Sequence, residues 1–358
     1  MNHLTQIRKR LEEAGAEAIL LTDEKNQRYA CGFPFTDGYV FIAREKAWLI
    51  TDSRYTEAAS RAVPSEVTVV RYDGSHPKDR LLKQLLADEA LSSVLAEDRH
   101  LTHAAWQQLE KKLERSLLPA GDLLPRIRAS KDTEEIRLMT EAQRISEKAL
   151  EETLAVIHPG MTEKEVAAEL VYRMLRFGSE GNSFDPIVVT GKNTSLPHGV
   201  PGDTVLQPGD FLTMDFGSLC GGYCSDMTRT FAVCSATEEM RNIYGIVLEA
   251  QLAGIRAAHA GIPGAEIDAA ARSVITDAGF GSCFGHGFGH SLGLDIHEKP
   301  VLNPQEKTLM PENAVVSAEP GIYLPGRFGV RIEDVMVLHA EGSEVITRTP
   351  KDRLLIVG

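Results

Sequence analysis

Apolar positions along the chain follow two rhythms: short strand-like runs alternating with helical stripes, then long helices leading into apolar strands. In residues 5–15, Ile7, Leu11 and Ala14 recur at helical spacing, and Ala18-Ile-Leu-Leu-Thr22 then reads as a strand. Strand-like runs follow at 39–42, 47–50, 67–70 and 93–96, with helical patterns near 54–63, 79–90 and 103–116. This predicts an α/β unit over residues 1–125, closed by Leu118-Pro-Ala-Gly-Asp122 as a linker. Its histidines (His3, His76, His100 and His103) fall at loops or helix starts, where solvation or capping accounts for them. No catalytic cluster is expected there.

The second rhythm fills residues 126–358. Asp132-Thr-Glu-Glu135 has the form of a capping box, in which two side chains satisfy each other's backbone N–H groups. Leu138, Ala142, Ile145 and Ala149 then lay an apolar stripe along a long helix. His158-Pro-Gly160 ends it, and Thr162-Glu-Lys-Glu165 caps a second helix running to about Phe177. The pattern then recurs. His158-Pro-Gly-Met-Thr-Glu-Lys-Glu165 aligns without gaps on His259-Ala-Gly-Ile-Pro-Gly-Ala-Glu266, and Gly178 on Gly279, both at an offset of 101 (259 minus 158, 279 minus 178). Each copy precedes a strand ending in a carboxylate: Gly209-Asp-Phe-Leu-Thr-Met-Asp215 in one, Asn313-Ala-Val-Val-Ser-Ala-Glu319 in the other. Asp226 has a counterpart in Glu333 of Gly329-Val-Arg-Ile-Glu-Asp-Val335. The expected fold is therefore α/β (α+β), with a pseudo-twofold duplication in its larger part.

Composition narrows the partners. A chain of 358 residues with 43% hydrophobic and 25% charged residues builds an ordinary large core, and two domains are the first expectation. A net charge of −13 argues against nucleic acid and anionic membranes, which attract basic patches. No apolar run is long enough to span a bilayer, and Met1-Asn-His-Leu-Thr-Gln-Ile-Arg8 lacks the build of a signal peptide. Cys31, Cys220, Cys224, Cys234 and Cys283 are odd in number and lack CxxC spacing, so they read as reduced, buried thiols of a cytoplasmic protein.

The chemistry gathers at the carboxylates. Asp215 and Asp226 lie on apolar segments that read as paired strands across the Gly221-Gly222 turn. An unpaired ionised carboxylate there costs several kcal/mol. Arg229, close to Asp226, offers an ordinary ion pair as the plain alternative. Yet the duplication delivers Glu319 and Glu333 as well, and four carboxylates balance two divalent ions. A histidine should complete the set, and Gly285-His-Gly-Phe-Gly-His-Ser-Leu-Gly-Leu-Asp-Ile-His-Glu298 offers His286, His290 and His297. Glycines between the first two favour extended backbone over a helical HxxxH site. Oxygen-rich ligation with one imidazole suits Mn²⁺, Co²⁺, Fe²⁺ or Zn²⁺. A water bridging two such ions becomes a nucleophile near neutrality, so metal-assisted amide hydrolysis is the reaction class indicated.

Asp215, Asp226, His290, Glu319 and Glu333 resemble the ligand pattern of the pita-bread metallopeptidases: methionine aminopeptidase, aminopeptidase P and prolidase. So do Phe184-Asp-Pro-Ile-Val188, Leu196-Pro-His-Gly199, Ser225-Asp-Met-Thr-Arg-Thr230, Glu319-Pro-Gly-Ile-Tyr323 and Arg331-Ile-Glu333. The first 125 residues resemble the creatinase/prolidase N-terminal (ribonuclease H-like) domain. The resemblance implies that Asp215 chelates one ion, Asp226 and Glu333 bridge both, and His290 and Glu319 complete the ligand set of the second ion. It makes Glu319 the proton carrier and gives His198 and His297 the scissile carbonyl, the oxyanion or a proton shuttle. His286, Tyr323 and Arg331 become supporting groups. Mn²⁺ leads the implied metals, ahead of Co²⁺, Zn²⁺ and Fe²⁺. The implied substrate is a small peptide with proline second, and the implied assembly a homodimer. The intact ligand set argues against creatinase, and the N-terminal domain against methionine aminopeptidase. A Xaa-Pro dipeptidase (prolidase-like) is therefore expected. Aminopeptidase P-like action on longer peptides is the alternative, and a non-catalytic peptide-binding module the remote one.

Overall fold

The structure is a computed structural model describing residues 3–358, so the first two residues of the N-terminal stretch considered above lie outside it. It divides into one compact unit ending at Arg128 and a second spanning Ala129–Gly358. The first unit carries α1 (His3–Glu13), β1 (Ala18–Leu21), α2 (Glu24–Cys31), β2 (Gly38–Ala43), β3 (Ala47–Thr51), α3 (Thr56–Ala62), β4 (Val67–Arg71), α4 (Lys78–Asp88), β5 (Val94–Ala96), α5 (His103–Leu113), β6 (Leu118–Pro119) and α6 (Leu123–Arg128). Its strands form one mixed sheet in the order β4-β3-β2-β1-β5-β6. Leu4, Ile7 and Leu11 are the buried stripe of α1, whereas Ala14 lies beyond the helix and is exposed. Leu118 and Pro119 are not linker: they pair in parallel with Leu95 and Ala96 as the last strand of this sheet. Helix α2 had no clear periodic signal; Asp23 caps it and Gly32, at φ 70°, ends it.

The second unit opens with α7 (Thr133–Leu154) and α8 (Glu163–Arg176), both with complete capping boxes. Strands β7 (Ile187–Thr190), β8 (Phe211–Phe216), β9 (Leu219–Cys220), β10 (Tyr223–Cys224) and β11 (Met227–Val233) follow, then α9 (Glu238–Ala257) and α10 (Gly264–Asp277). The chain finishes with β12 (Gly289–Ser291), β13 (Glu298–Leu302), β14 (Val315–Ala318), β15 (Gly321–Leu324), β16 (Phe328–Arg331), β17 (Asp334–His339), β18 (Gly342–Val345) and β19 (Ile356–Val357). Two larger sheets result, β19-β11-β8-β7 and β13-β12-β14-β17-β18, beside the two-stranded pairs β10-β9 and β15-β16.

The expected duplication is visible in backbone detail. Gly160 N–H donates to Leu206 O and Gly261 N–H to Met310 O; in return Leu206 N–H donates to Met161 O and Met310 N–H to Ile262 O. His158 and His259 each place Nδ1 2.8 Å from the carbonyl of the next residue. Gly178 and Gly279 both terminate a helix at positive φ, 102° and 86°. The copies differ where Pro263 replaces Thr162, and α10 has no side-chain cap.

Strand alternation sorts the residues. Leu212, Met214, Phe216, Met227 and Phe231 point into a core shared with Val166, Leu170 and Met174 of α8. Val316, Ala318, Met336 and Leu338 do the same against Ile267 and Ala271 of α10. Each of the larger side chains here (Val, Leu, Ile, Met or Phe) contributes about 1.5–3 kcal/mol on burial. The buried stripe of α7 is rotated from the expected one. Met139, Ala142, Ser146 and Ala149 are buried, while Leu138 and Ile145 are half-buried. Ser146 is drawn in because its hydroxyl meets those of Ser218 and Ser225 at 2.9 and 2.8 Å. None of the cysteines is in a disulfide among the described residues; Cys31 and Cys224 are buried but Cys234 is exposed, where β11 ends at φ 57°. Cys220 and Cys224 lie on a hairpin whose two turn residues, Gly221 and Gly222, both take positive φ.

Gly217 lies between the residues carrying Asp215 and Asp226. A Cβ there would sit 1.9 Å from the Ser225 carbonyl oxygen and 2.1 Å from Ser183 Oγ. Gly217→Ala is expected to destabilise the chain by on the order of 1–3 kcal/mol or more, measured by denaturant unfolding. An unchanged midpoint would contradict this packing.

Candidate metal centre and active site

Strand ends place the carboxylates. Asp215 is the penultimate residue of β8 and Asp226 immediately precedes β11. Glu319 immediately follows β14 and Glu333 immediately precedes β17. Because β8 pairs antiparallel with β11, and β14 with β17, the four arise from matching places in the two copies. His290 comes from the middle of β12, where a register shift between His290 and Ser291 re-aims the strand.

These groups converge in one cleft of about 570 Å³. Donor atoms of Asp226, His290 and Glu333 all lie within 4.8 Å of one another. His290 Nε2 is 3.5 Å from Asp226 Oδ2 and 3.3 Å from Glu319 Oε1. Arg331 Nη2 donates to Asp215 Oδ2 at 2.5 Å. The Thr228 hydroxyl donates to Glu333 Oε2 at 2.7 Å, and that of Ser317 to Glu319 Oε1 at 3.1 Å. Arg229, the alternative partner for Asp226, instead meets Asp334 at 2.7 Å.

The electrostatics are unfavourable as they stand. Burial, reinforced by Asp215 and Glu319, holds Asp226 well above the usual carboxylate range. Burial and then Asp226 do the same to Glu333. Glu319 is raised too, burial again leading. Arg331 is the one lysine or arginine lining the cleft among the described residues, so one fixed cation faces four carboxylates.

Divalent cations fit this donor set. The Oδ1 atoms of Asp215 and Asp226 are buried without any hydrogen-bond partner. Burial lowers the pKa of His290, favouring the neutral ring. Its Nδ1–H lies 3.2 Å from Ser291 O, which leaves the Nε2 lone pair aimed at two carboxylates. A lone pair facing carboxylate oxygens repels them unless a cation or a proton lies between. Hard oxygen donors with one imidazole are ligands of that kind.

The remaining expected residues gather here as well. His198 and His297 are exposed on the cleft wall, and the His297 ring stands edge-on to His290 at 4.4 Å. Burial, then His290, lowers the pKa of His297. His286 sits behind, with its pKa also lowered by burial. Its Nδ1–H donates to Gly287 O, and Nε2 accepts from the Tyr323 hydroxyl at 2.9 Å. Tyr323 in turn accepts from Arg331 at 2.8 Å, so His286, Tyr323, Arg331 and Asp215 form one chain. Sequence reasoning missed Thr228 and Ser317. Each is two residues from a carboxylate, Asp226 or Glu319, and the period of two that puts such residues on one strand face could have found them.

The pattern described as metallopeptidase family M24 matches residues 137–340, and that of the creatinase/prolidase N-terminal domain matches residues 3–130. An Xaa-Pro dipeptidase of Pyrococcus horikoshii is 34% identical over 344 residues, covering 96% of this chain and 95% of that protein. A solved Xaa-Pro dipeptidase from Bacillus anthracis superposes with a TM-score of 0.95 at 39% identity, covering 99% of each chain. A solved X-Pro aminopeptidase from Thermotoga maritima gives 0.92 at 35% identity, covering 98% of this chain and 100% of that one.

Two outcomes follow from the raised carboxylates. Above the usual carboxylate range the folded metal-free protein holds more protons on Asp226 and Glu333 than the unfolded chain does. Stability from these groups is therefore complete at low pH and lost as pH rises through the raised values. His286, His290 and His297, whose lowered pKa values act in the opposite sense, are shared with Asp226→Asn, so the melting temperature of the chelator-treated parent is expected to fall relative to that of chelator-treated Asp226→Asn between about pH 5 and neutrality, and Mn²⁺ to restore it. A difference that moves in the parent's favour over this window would contradict the assignment. Asp226→Asn relieves the repulsion, so it is expected to raise the metal-free midpoint while lowering the number of Mn²⁺ ions bound per chain.

Proposed function

The chain belongs to metallopeptidase family M24 and carries a creatinase/prolidase N-terminal domain, and from this we propose that it hydrolyses the peptide bond preceding proline, as a Xaa-Pro dipeptidase with a centre for two divalent cations. The observation that carries the reading is the close set of Asp226, His290 and Glu333 donor atoms in a cleft that Glu319, His198 and His297 also line. The similarity to Xaa-Pro dipeptidases along nearly the whole chain supports the substrate class.

Asp215, Asp226, His290, Glu319 and Glu333 would hold the cations, with Mn²⁺ put first and Co²⁺, Zn²⁺ and Fe²⁺ as alternatives. When bound, such ions make a water acidic and polarise a carbonyl. Glu319 takes the proton of the attacking water and passes it to the leaving nitrogen. Its raised proton affinity suits that transfer, and the Ser317 hydroxyl fixes one of its oxygens. His198 and His297 hold the scissile carbonyl and stabilise the oxyanion as it forms. With its pKa lowered, His297 is neutral near pH 7 and donates a single N–H. Arg331 is committed to Asp215 and Tyr323, so its role is to orient a ligand rather than to grip substrate. The homodimer implied by the resemblance and the cytoplasmic setting read from the cysteines belong to this proposal.

One observation favours the aminopeptidase P-like alternative. A dipeptidase needs a cation for the proline carboxylate, and Arg331, the one guanidinium or ammonium lining the cleft among the described residues, is already engaged. Comparing Ala-Pro with Ala-Pro-Ala separates the two. The dipeptidase reading predicts release of proline from Ala-Pro by Mn²⁺-loaded protein, loss on chelation and slow tripeptide cleavage. Equal rates on both peptides favour the aminopeptidase, and no metal-dependent release from either removes the peptidase reading. Glu319→Gln is expected to lower kcat on the order of 10²–10⁴-fold, as for loss of a positioned acid–base group. Near-parent turnover would show that the proton travels elsewhere.

A further inference from the structure

A second charged cluster lies behind the carboxylates and takes no part in the mechanism above. Asp334 directly follows Glu333 and, by strand alternation, points to the opposite face, toward α9. Its Oδ1 accepts from Arg229 Nη2 at 2.7 Å. Its Oδ2 accepts from Gln251 Nε2 at 3.0 Å and from the Lys351 ammonium. Lys351 also donates to Gln251 Oε1 at 2.5 Å, so the four side chains form one closed network. Arg229, Gln251 and Asp334 are almost completely buried.

The network grips the backbone that carries the catalytic carboxylates. Arg229 Nη1 donates to the carbonyl of Glu333 at 2.5 Å and to that of Thr228 at 2.9 Å. Gln251 Nε2 also approaches the carbonyl of Ala318, the residue before Glu319, at 3.3 Å. Arg229 Nη2 and Tyr244 Oη donate to the carbonyls of Thr349 and Lys351, fastening the segment that delivers the Lys351 ammonium. Arg229 lies on β11, three residues after Asp226, so both sheets are tied to one node. Two cations face one carboxylate, leaving a net positive charge behind a cleft dominated by negative ones. A buried ion pair is poor at stabilising a fold compared with apolar packing of the same volume. Stability alone therefore leaves the choice of residues unexplained, whereas donors directed at the carbonyls of Glu333 and Ala318 give them a positioning use.

We propose that Arg229, Asp334, Gln251 and Lys351 are positioning residues for the metal centre. One buried cluster fixes the backbone on which Glu333 and Glu319 are mounted, through the carbonyls of Glu333, Thr228 and Ala318. The inference rests on the reading of Glu319 and Glu333 as metal ligands.

Lys351 is the member to test, because it approaches from the C-terminal segment and is far in sequence from every expected ligand. The full-length chain, stripped by chelator, is titrated calorimetrically with Mn²⁺ and assayed on Ala-Pro at saturating Mn²⁺. Lys351→Met is expected to weaken Mn²⁺ binding about 10–100-fold, as loss of a group that orients metal ligands does. It should lower kcat while KM stays within about threefold, since the substrate itself is not touched. Lys351→Arg, which keeps the charge, should recover most of both losses. Parent-like Mn²⁺ affinity and kcat in Lys351→Met would overturn the inference, and so would a loss that Lys351→Arg shares in full. If Lys351→Met does not fold, Gln251→Met carries the test. It removes the bonds to Asp334 and Ala318, and the same losses are expected; parent-like values there overturn the inference too. A parent protein that binds no Mn²⁺ would instead bring down the metal-centre reading, and the inference with it.

Discussion

Negative charge confined out of water is the constraint on which this structure turns. Two unit charges about 4 Å apart interact by ~1–4 kcal/mol between bulk water and an effective dielectric of 20, and Asp226 and Glu333 are buried beside each other and near Glu319. One guanidinium, Arg331, is spent on a fourth carboxylate, Asp215. Hydroxyls from Thr228 and Ser317 fix orientation without cancelling charge. A histidine with its Nε2 lone pair turned toward two carboxylates adds to the imbalance rather than relieving it. Every local feature of the cleft makes sense as half of a structure whose other half is divalent.

The duplicated architecture explains how so costly an arrangement is held. Each copy contributes a helix pair against the outer face of a sheet and two carboxylates at strand ends on the inner side. The helices supply apolar burial that offsets the repulsion. The strand pairing fixes the spacing, because a register slip of one residue would turn Asp215 into the core and Met214 into the cleft. The network of Arg229, Asp334, Gln251 and Lys351 joins the two copies behind the cleft, so the backbones carrying both pairs of carboxylates are tied to one node.

Much of this was legible in the sequence because the chemistry there is redundant. Asp215, Asp226, Glu319 and Glu333 could be read from matching places in the repeated helix-and-strand motif, and the capping boxes at Asp132 and Thr162 marked helix starts that the structure keeps. His286, His290 and His297 could not be ranked from spacing alone, because the glycines around them set a path that local rules do not specify. What stayed hidden depended on tertiary packing. Leu118 and Pro119 carry linker-like composition, yet a free sheet edge beside β5 makes them a strand. Ser146 interrupts an apolar stripe because two buried serine hydroxyls await it. Asp334 reads as an ordinary acidic neighbour of Glu333 until strand alternation sends it to the other face, where a guanidinium and an ammonium meet it.

The central claim is that these carboxylates stand together only around divalent cations. Crystals of the protein grown with Mn²⁺ and measured at the manganese absorption edge test it most directly. Two anomalous peaks are expected in the cleft, both in contact with Asp226 and Glu333. A metal-rich crystal without anomalous density there, its carboxylates instead protonated or turned onto arginine, would contradict it.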